Sequence, residues 1–541
     1  MEEPLISIVI PVYNGANYLR EAIDSALAQT WPRVEVVVVN DGSEDDGQTE
    51  RIAASYGSRI RYLAKANGGV ASALNAGVAA MTGDIFCWLS HDDLHVPAKA
   101  ERQVARWTAL GCPGDVVLYS DYTLIDAAGT HIADVVLDHE MLQEKPLYSV
   151  LRGSIHGCSV FVPRHLFGKA GKFDTGRPTT QDYDLWFRMT KHARFIHMAD
   201  VLVKSRWHDE QGSKKIDHAA EANAFWSSLL EQVSETEQEE LEGSVYRFQR
   251  EMAAFLRRNG IGEAADRAAQ LAEAALARIL VSIVIPVFNR HDQAISAVDS
   301  ALAQTHPEIE VIVVDDGSTD DMTLFRQALI ERPKVRLLRQ ENLGPAAARN
   351  LGWQHARGRY VAFLDSDDLF LRDKISSQLR LMAGENCCFS HTSYWRHEAR
   401  APRLEARRTG VFGGQNAFPE IIGGCAIATP TVMVRRDLWA QGFKFPQDIR
   451  IGEDILLWIR IAARCGVLGI DRPLTIVRSG ASSAAYDPAK QIVGLKNIIA
   501  SVESDPTFSC YSAQLARLKA YYHHYDSMHS RRISSSAPTA D

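Results

Sequence analysis

Long apolar runs are missing from this sequence. None approaches the roughly 18 to 20 residues a spanning helix needs. The longest candidate, Ile279 to Phe288, is broken by Ser282 and Pro286. Basic charge is in deficit, with 59 Lys plus Arg against 67 Asp plus Glu, a formal net charge of -8. A surface that coats nucleic acid is normally basic, so no nucleic-acid partner is expected. The eight cysteines are scattered singly apart from Cys387-Cys388. None has Cys-x-x-Cys spacing, which argues against a zinc site or a disulfide framework. The start, Met1-Glu2-Glu3-Pro4, lacks the basic region of a signal peptide. A reducing cytoplasm is the expected location.

The composition is otherwise that of a globular protein, with 46% apolar and 23% charged residues. At 541 residues the chain exceeds what one core usually supports, so at least two domains are expected. An internal repeat makes that concrete. Ser7 to Asn14 (SIVIPVYN) recurs as Ser282 to Asn289 (SIVIPVFN), and Asp24 to Thr30 (DSALAQT) recurs unchanged as Asp299 to Thr305. Asp41-Gly42-Ser43 pairs with Asp316-Gly317-Ser318, Asn75 with Asn350, and Asp92-Asp93 with Asp367-Asp368. These pairs share an offset of 275, as 286 against 11. Asp182 with Asp454 and Arg206 with Arg478 lie at 272, so the second copy lacks a net three residues between. A period this long is a duplicated domain rather than a solenoid.

Each copy opens as alternating strand and helix. Ile6 to Val12 and Val34 to Asn40 are β-branched runs suited to strands buried on both faces. Leu19, Ile23, Ala26 and Leu27 lie between them at helical spacing, and Ile60 to Ala64 and Asp84 to Ser90 read as further strands. The pattern predicts an α/β fold with a mostly parallel sheet in each copy. The expected divisions are 1–210 for the first domain, 211–278 for a Glu/Ala-rich helical connector, 279–526 for the second domain, and 527–541 for a disordered tail.

Ligands of such sheets bind outside the carboxyl ends of the strands, where Asn14, Asp41 and Asp92-Asp93 fall. Clustered carboxylates at one strand end repel unless a cation lies among them. Hard divalent ions take such oxygens and keep positions open for phosphate. A helix cap beginning near Pro97-Ala98-Lys99 is the structural alternative for Asp92-Asp93. Asp41 and Asp316 each precede a glycine, which fits either a turn or a carboxylate that accepts an imide N–H from a base. Asp182 and Asp454 suit a general base at a helix start, or a favourable meeting with the helix dipole. His208 is a candidate ligand in the first copy only, since Gly480 stands at its counterpart.

The ordered motifs together resemble family 2 glycosyltransferases of the GT-A fold. They run SIVIPVYN, NDGSEDD, NGGVASALNAG, LSHDDL and QDYDLWFR in the first copy. In the second they run SIVIPVFN, DDGSTDD, NLGPAAARNLG, LDSDDL and GEDILLW. The resemblance implies inverting transfer of a sugar from a nucleotide-diphosphate donor, UDP- or dTDP-type, to an acceptor hydroxyl. It implies donor contacts from Pro11, Tyr13, Asn14, Asp41, Asn67 and Asp92, and from Pro286, Phe288, Asn289, Asp316, Asn342, Arg349 and Asp367. The divalent ion, Mg²⁺ or Mn²⁺, falls to Asp92, Asp93 and His208, and to Asp365, Asp367 and Asp368. The bases are Asp182 and Asp454. The acceptor class is a bacterial surface glycan, often lipid-linked, which would place the protein in the cytoplasm or at the inner membrane face with peripheral contact only.

The copies depart from the pattern differently. Leu74, Ser90 and Gln181 stand where the second copy has Arg349, Asp365 and Glu453. A first copy that binds a sugar nucleotide without turning it over is therefore an alternative. A nucleotidyltransferase is another, although Pro-Val-Tyr-Asn replaces the Gly-rich, Arg-containing loop such enzymes carry after the first strand.

Overall fold

The computed structural model describes residues 3–209, 218–398, 404–409, 418–423, 425, 427–479 and 488–535. It divides into two compact units, Met1–Ser234 with Met252–Ala268, and Glu235–Glu251 with Ala269–Asp541. Gly480, the counterpart of His208, lies outside the described residues.

The first unit contains β1 (Ile6–Val12), β2 (Val34–Asn40), β3 (Arg61–Ala64), β4 (Ile85–Trp88), β5 (Leu94–His95), β6 (Val116–Ile125), β7 (His131–Val135), β8 (Val162–Pro163) and β9 (Arg194–Arg206). Its main sheet runs β3-β2-β1-β4-β8. The first four are parallel and β8 is antiparallel. A second sheet runs β5-β9-β6-β7.

The second unit contains β10 (Val281–Val287), β11 (Ile309–Asp316), β12 (Val335–Gln340), β13 (Tyr360–Phe363), β14 (Leu369–Phe370), β15 (Phe389–Glu398), β16 (Leu404–Arg407), β17 (Met433–Arg435) and β18 (Leu468–Ser479). Here one sheet runs β12-β11-β10-β13-β17-β15-β18-β14, with β16 on β15.

The apolar runs are continuous because both sheet faces are covered. Along β10, Val281, Ile283, Ile285 and Val287 enter one core while Val284 enters another. This is the two-residue alternation of a strand with two buried sides. Helices close on the sheet through small residues. A Cβ on Gly352 would lie 2.3 Å from Val284 Cγ1.

The unchanged DSALAQT heptapeptide has a structural cause. Gln29 accepts from Ala100 N at 3.0 Å and donates to Val96 O at 3.0 Å. Gln304 repeats this with Ile375 N and Leu371 O. Thr30 N and Thr305 N donate to Pro97 O and Arg372 O. The heptapeptide thus anchors the chain that leaves each acidic loop. Asn75 and Asn350 also recur for a structural reason. Asn350 donates to Phe445 O at 2.8 Å and accepts from Phe445 N at 2.9 Å, as Asn75 does with Phe173.

The segment from 219 to 277 is helical, as Ala219–Gln232, Glu235–Glu242, Val245–Arg258 and Gly262–Ala277. The unit boundaries fall within it, so these helices are shared out between the two units. The last helix, Ser512–Ser535, continues through part of the stretch expected to be a disordered tail, and 536–541 lie outside the described residues. Among the described residues no helix is long and apolar enough to cross a membrane.

Asn350→Ala removes both bonds to Phe445 and strands two backbone groups. A loss of about 2–4 kcal/mol is expected, read as an earlier denaturant midpoint for the second unit. A change within about 0.5 kcal/mol would remove Asn350 from this role.

Candidate active site

In both units the central strand, β1 or β10, has a parallel neighbour on either side, and the chain reaches those neighbours in opposite directions. A crevice opens at such a switch point. The proline in each strand marks where it begins. Val9 O accepts the last bond from the β4 side, from Leu89 N at 3.0 Å. Two residues on, Pro11 faces the same side without an N–H, so the ladder cannot continue. Leu364 N, Val284 O and Pro286 repeat the arrangement.

The rim follows. Asn14 and Asn289 take left-handed backbone, φ 50 and 51, which asparagine tolerates better than most residues. Asn14 Oδ1 accepts from Glu44 N at 2.7 Å, and Asn14 N donates to Ser43 Oγ at 2.9 Å. Asn289 does the same with Thr319 N and Ser318 Oγ. Both asparagines therefore latch the loop after the first strand of their unit to the loop after the second. Beside them Tyr13 and Phe288 are 43% and 41% exposed, flat apolar faces left open at a strand end.

Asp41 and Asp316 are buried. Asp41 accepts from Gly68 N at 3.1 Å and pairs with Lys65. Asp316 accepts from Leu343 N at 3.0 Å, Gly344 N at 2.9 Å and Gln340 Nε2 at 2.7 Å. Each organises the loop carrying the exposed Asn67 or Asn342. That loop passes so close that a Cβ on Gly317, at φ +74, would lie 2.6 Å from Asn342 N. Glycine is required there on both counts.

The acidic residues after β4 and β13 are not helix caps. The following helices begin at Lys99 and Lys374, and neither has a side-chain cap. Within each pair the aspartates divide. Asp93 accepts from Arg206 N at 2.9 Å and Asp368 from Arg478 N at 2.7 Å. These buried carboxylates clamp the acidic loop to the end of β9 or β18. Burial, then the neighbouring carboxylates, pushes the pKa of both upward.

The partly exposed members face the opening. Asp92 Oδ2 lies 3.0 Å from His208 Nε2. Asp365 pairs with Arg349 at 2.7 Å, and Asp367 with Arg290. Asp365 and Asp367 offer oxygen donors alone, with side chains 29% and 27% exposed, a set that fits a hard divalent cation. Asp92 with His208 is a mixed set, better suited to Mn²⁺ than to Mg²⁺.

Asp93, His156 and Cys158 bring three further donor atoms within 4.8 Å of one another. His156 Nδ1 already accepts from Cys158 N at 3.3 Å. That assigns the ring proton to Nε2, which meets Ser205 Oγ at 3.1 Å and lies 3.8 Å from Asp93, while the Cys158 thiol donates to Asp93 at 3.2 Å, so all three groups are engaged within the protein.

The base candidates lie in the first turns of Gln181–Thr190 and Glu453–Cys465. Burial, with a smaller contribution from the charge of Glu221, raises Asp182 to about 6. Asp454 Oδ2 accepts from Thr429 Oγ1 at 2.6 Å. The sequence did not reveal Glu221, Thr429, His156 or Cys158, because the groups that give them roles (Thr179, Asp454 and Asp93) lie 25 to 65 residues away in the chain.

Residues 7–143 and 282–438 match the profile of glycosyl transferase family 2. An uncharacterized glycosyltransferase of Rickettsia felis is 47% identical over 515 residues, covering 94% of this chain and 85% of the relative. The chain belongs to glycosyl transferase family 2. It is a glycosyltransferase with two family domains of α/β architecture. The Escherichia coli protein named UDP-Glc:alpha-D-GlcNAc-diphosphoundecaprenol beta-1,3-glucosyltransferase WfaP is 34% identical over 230 residues, 41% of this chain and 86% of its own. The crystal structure of S. aureus TarS 1-349 is similar at 18% identity and TM-score 0.38, covering 48% of this chain and 76% of that one.

The two domains of this glycosyltransferase differ as a set. In the second, Arg349 bridges Asp365 at 2.7 Å and Glu453 at 3.1 Å, tying the acidic loop to the base helix. Burial, then the Asp454 charge, pushes Glu453 upward, and Arg349 opposes that shift. The first domain replaces all three members with Leu74, Ser90 and Gln181, so none is left as an unpaired buried charge. Arg349→Leu alone leaves two carboxylates without their cation and is expected to cost about 3 kcal/mol. Adding Asp365→Ser and Glu453→Gln should restore most of that loss. Denaturant unfolding of both variants checks this, and a triple variant no more stable than the single one contradicts it.

Proposed function

We propose that both domains transfer sugars, with inversion, from nucleotide-diphosphate donors to hydroxyls of a surface-glycan acceptor. The observation that carries this is the same constellation built twice. Each has an exposed aromatic ring, a buried aspartate ordering the adjacent loop, an acidic pair at the crevice, and an aspartate at a helix start. Tyr13 or Phe288 stacks on the donor base. Asp41 or Asp316 accepts from its imide N–H and keeps the 65–69 or 340–344 loop in place.

Asp92 with His208, and Asp365 with Asp367, would hold a divalent ion, which when bound would supply positive charge for the departing diphosphate. The glycosyl transition state is oxocarbenium-like, so attack must come from the face opposite the leaving group. Asp182 and Asp454 remove the acceptor proton on that face. Inversion of an α-linked donor then gives a β-linkage. The WfaP name pairs UDP-Glc with a beta-1,3 product on a diphosphoundecaprenol acceptor. That supports a UDP-type donor and a lipid-linked glycan acceptor, and an acceptor of that kind would bring the protein to the inner membrane face.

A second reading gives the first domain a binding role only, favoured by replacement of the Arg349 bridge with Leu74, Ser90 and Gln181. Asp182→Asn and Asp454→Asn, made separately, decide between them. With a panel of UDP-sugars and Mn²⁺, each variant should lose about 10²-fold or more of one transfer while keeping the other. If Asp454→Asn abolishes all product and Asp182→Asn alters nothing, the binding role stands. EDTA should stop transfer and added Mn²⁺ restore it, and transfer that persists in chelator removes the cation from the scheme.

A pH dependence follows for the first domain. Asp182 must be ionised to act, and its pKa is about 6. With Asp454→Asn silencing the second domain, transfer should rise as pH increases through about 6 and level off above it. A rate that does not fall between roughly pH 7 and 5 counts against Asp182 as base.

A further inference from the structure

We infer that Glu221, on the helix Ala219–Gln232, is a positioning residue for Asp182, an inference that rests on Asp182 being the base of the first domain. Glu221 takes hold of the two residues immediately before the base helix. Its Oε1 accepts from Thr180 N at 2.9 Å and Thr180 Oγ1 at 2.7 Å. Its Oε2 accepts from Thr179 N at 3.1 Å and Thr179 Oγ1 at 2.7 Å. Thr180 is the N-cap residue of Gln181–Thr190, yet its hydroxyl makes no cap bond because it is turned to Glu221. The carboxylate thus replaces the usual side-chain cap with an external clamp, and its charge lies at the positive end of the helix. Asp182 follows two residues later. Trp226, one turn along the Glu221 helix, donates to Leu151 O at 3.0 Å, and its ring centroid lies 5.7 Å from that of Tyr183.

The duplicate supplies an internal comparison. Thr179-Thr180 corresponds to Ile451-Gly452. There the helix after the last strand, Pro488–Ser504, approaches the same two positions by close packing. A Cβ on Gly494 would lie 2.7 Å from Ile451 Cγ2, and one on Gly452 would lie 2.8 Å from Ile498 Cδ1. Both domains therefore brace the start of the base helix with the helix that follows their final strand. The first does so with a charge and the second by shape.

The charge gives Glu221 an effect that packing lacks. Around Asp182, Arg177 and Arg188 are engaged with Asp174 and Asp184, and Tyr183 donates to Gly153 O. Glu221 is the acidic neighbour whose field reaches Asp182, and it disfavours ionisation there. Burial pushes Glu221 itself upward, but the bonds from both threonines outweigh this and keep it below the usual glutamate range. It therefore stays ionised while Asp182 titrates. Removing its charge should make Asp182 a stronger acid.

The test uses the full chain with Asp454→Asn to silence the second domain. Turnover is read as UDP released from UDP-glucose or UDP-GlcNAc with Mn²⁺, beside amide hydrogen exchange over residues 179–184. Glu221→Gln should speed that exchange about tenfold or more. It should also lower turnover several-fold and move the acidic limb of the pH profile down by roughly half a unit. Thr179→Val with Thr180→Val keeps the charge but removes two donors. That variant should speed exchange and lower turnover with the limb unmoved. Unchanged exchange and an unmoved limb in Glu221→Gln, with Asp182→Asn inactive, would overturn the inference and leave the base assignment intact. Turnover that survives Asp182→Asn would instead overturn the base assignment.

Discussion

Holding several carboxylates together at the open edge of a parallel sheet is the constraint on which the site depends. At 4 Å two like charges repel by about 4 kcal/mol in a medium of intermediate dielectric, so the fold must supply compensation before any donor arrives. The second domain does this with Arg349 and Arg290. The first does it with His208 and by omitting one carboxylate, leaving Ser90 where Asp365 would be. In both, the inner aspartate of the pair is fixed by the amide of the last residue or last but one of a long strand. The outer ones are thereby presented in a defined place.

Much of this was legible in the sequence, for reasons that particular residues show. The strands from Ile6 and Val34 end where their β-branched runs end, because a strand covered on both faces has no polar side to blur its limits. The site could be approximated because the acidic and Asp-Gly motifs occur twice at one offset, at strand ends. Division of labour within the motifs could not be read. Nothing local distinguishes Asp92 from Asp93, because the difference is whether Arg206 N, 113 residues away, takes the carboxylate. That Asn14 and Asn289 also join two loops could not be read either, since Ser43 and Ser318 lie 29 residues away in the chain. Glu221 was hidden in a helical segment whose composition suggested only a connector.

The duplication separates what the chemistry requires from what the fold requires. Identical residues are not all functional: DSALAQT is unchanged because Gln29 and Gln304 each bind two backbone groups that define where the acidic loop ends. Conversely, the substitutions fall in linked groups. Leu74, Ser90 and Gln181 are one event in physical terms, since Leu74 opposite both acids would leave two carboxylates without their cation, and Ser90 with Gln181 opposite the arginine would leave a buried guanidinium unpaired. His156 and Cys158 likewise go together, closing on Asp93 where the second domain has Ala428 and Pro430.

The linked groups also explain why divergence leaves the sheets alone. A register shift in β10 would disturb two cores at once, because alternate residues enter opposite faces. A change in the loops need only be matched by the side chains that touch it, as Glu221 matches Thr179 and Thr180, and as Gly494 and Ile498 match Ile451 and Gly452. The base helix is the element most in need of such matching. Its first turn places a carboxylate in a partly buried position, and the proton-accepting role proposed for it requires it to stay ionised yet find no permanent cation. A cation on the base itself therefore cannot be the anchor, and in the second domain the group that holds Asp454 is the neutral Thr429 hydroxyl. The anchor acts on the residues just before the base, and both domains place it there by different chemistry.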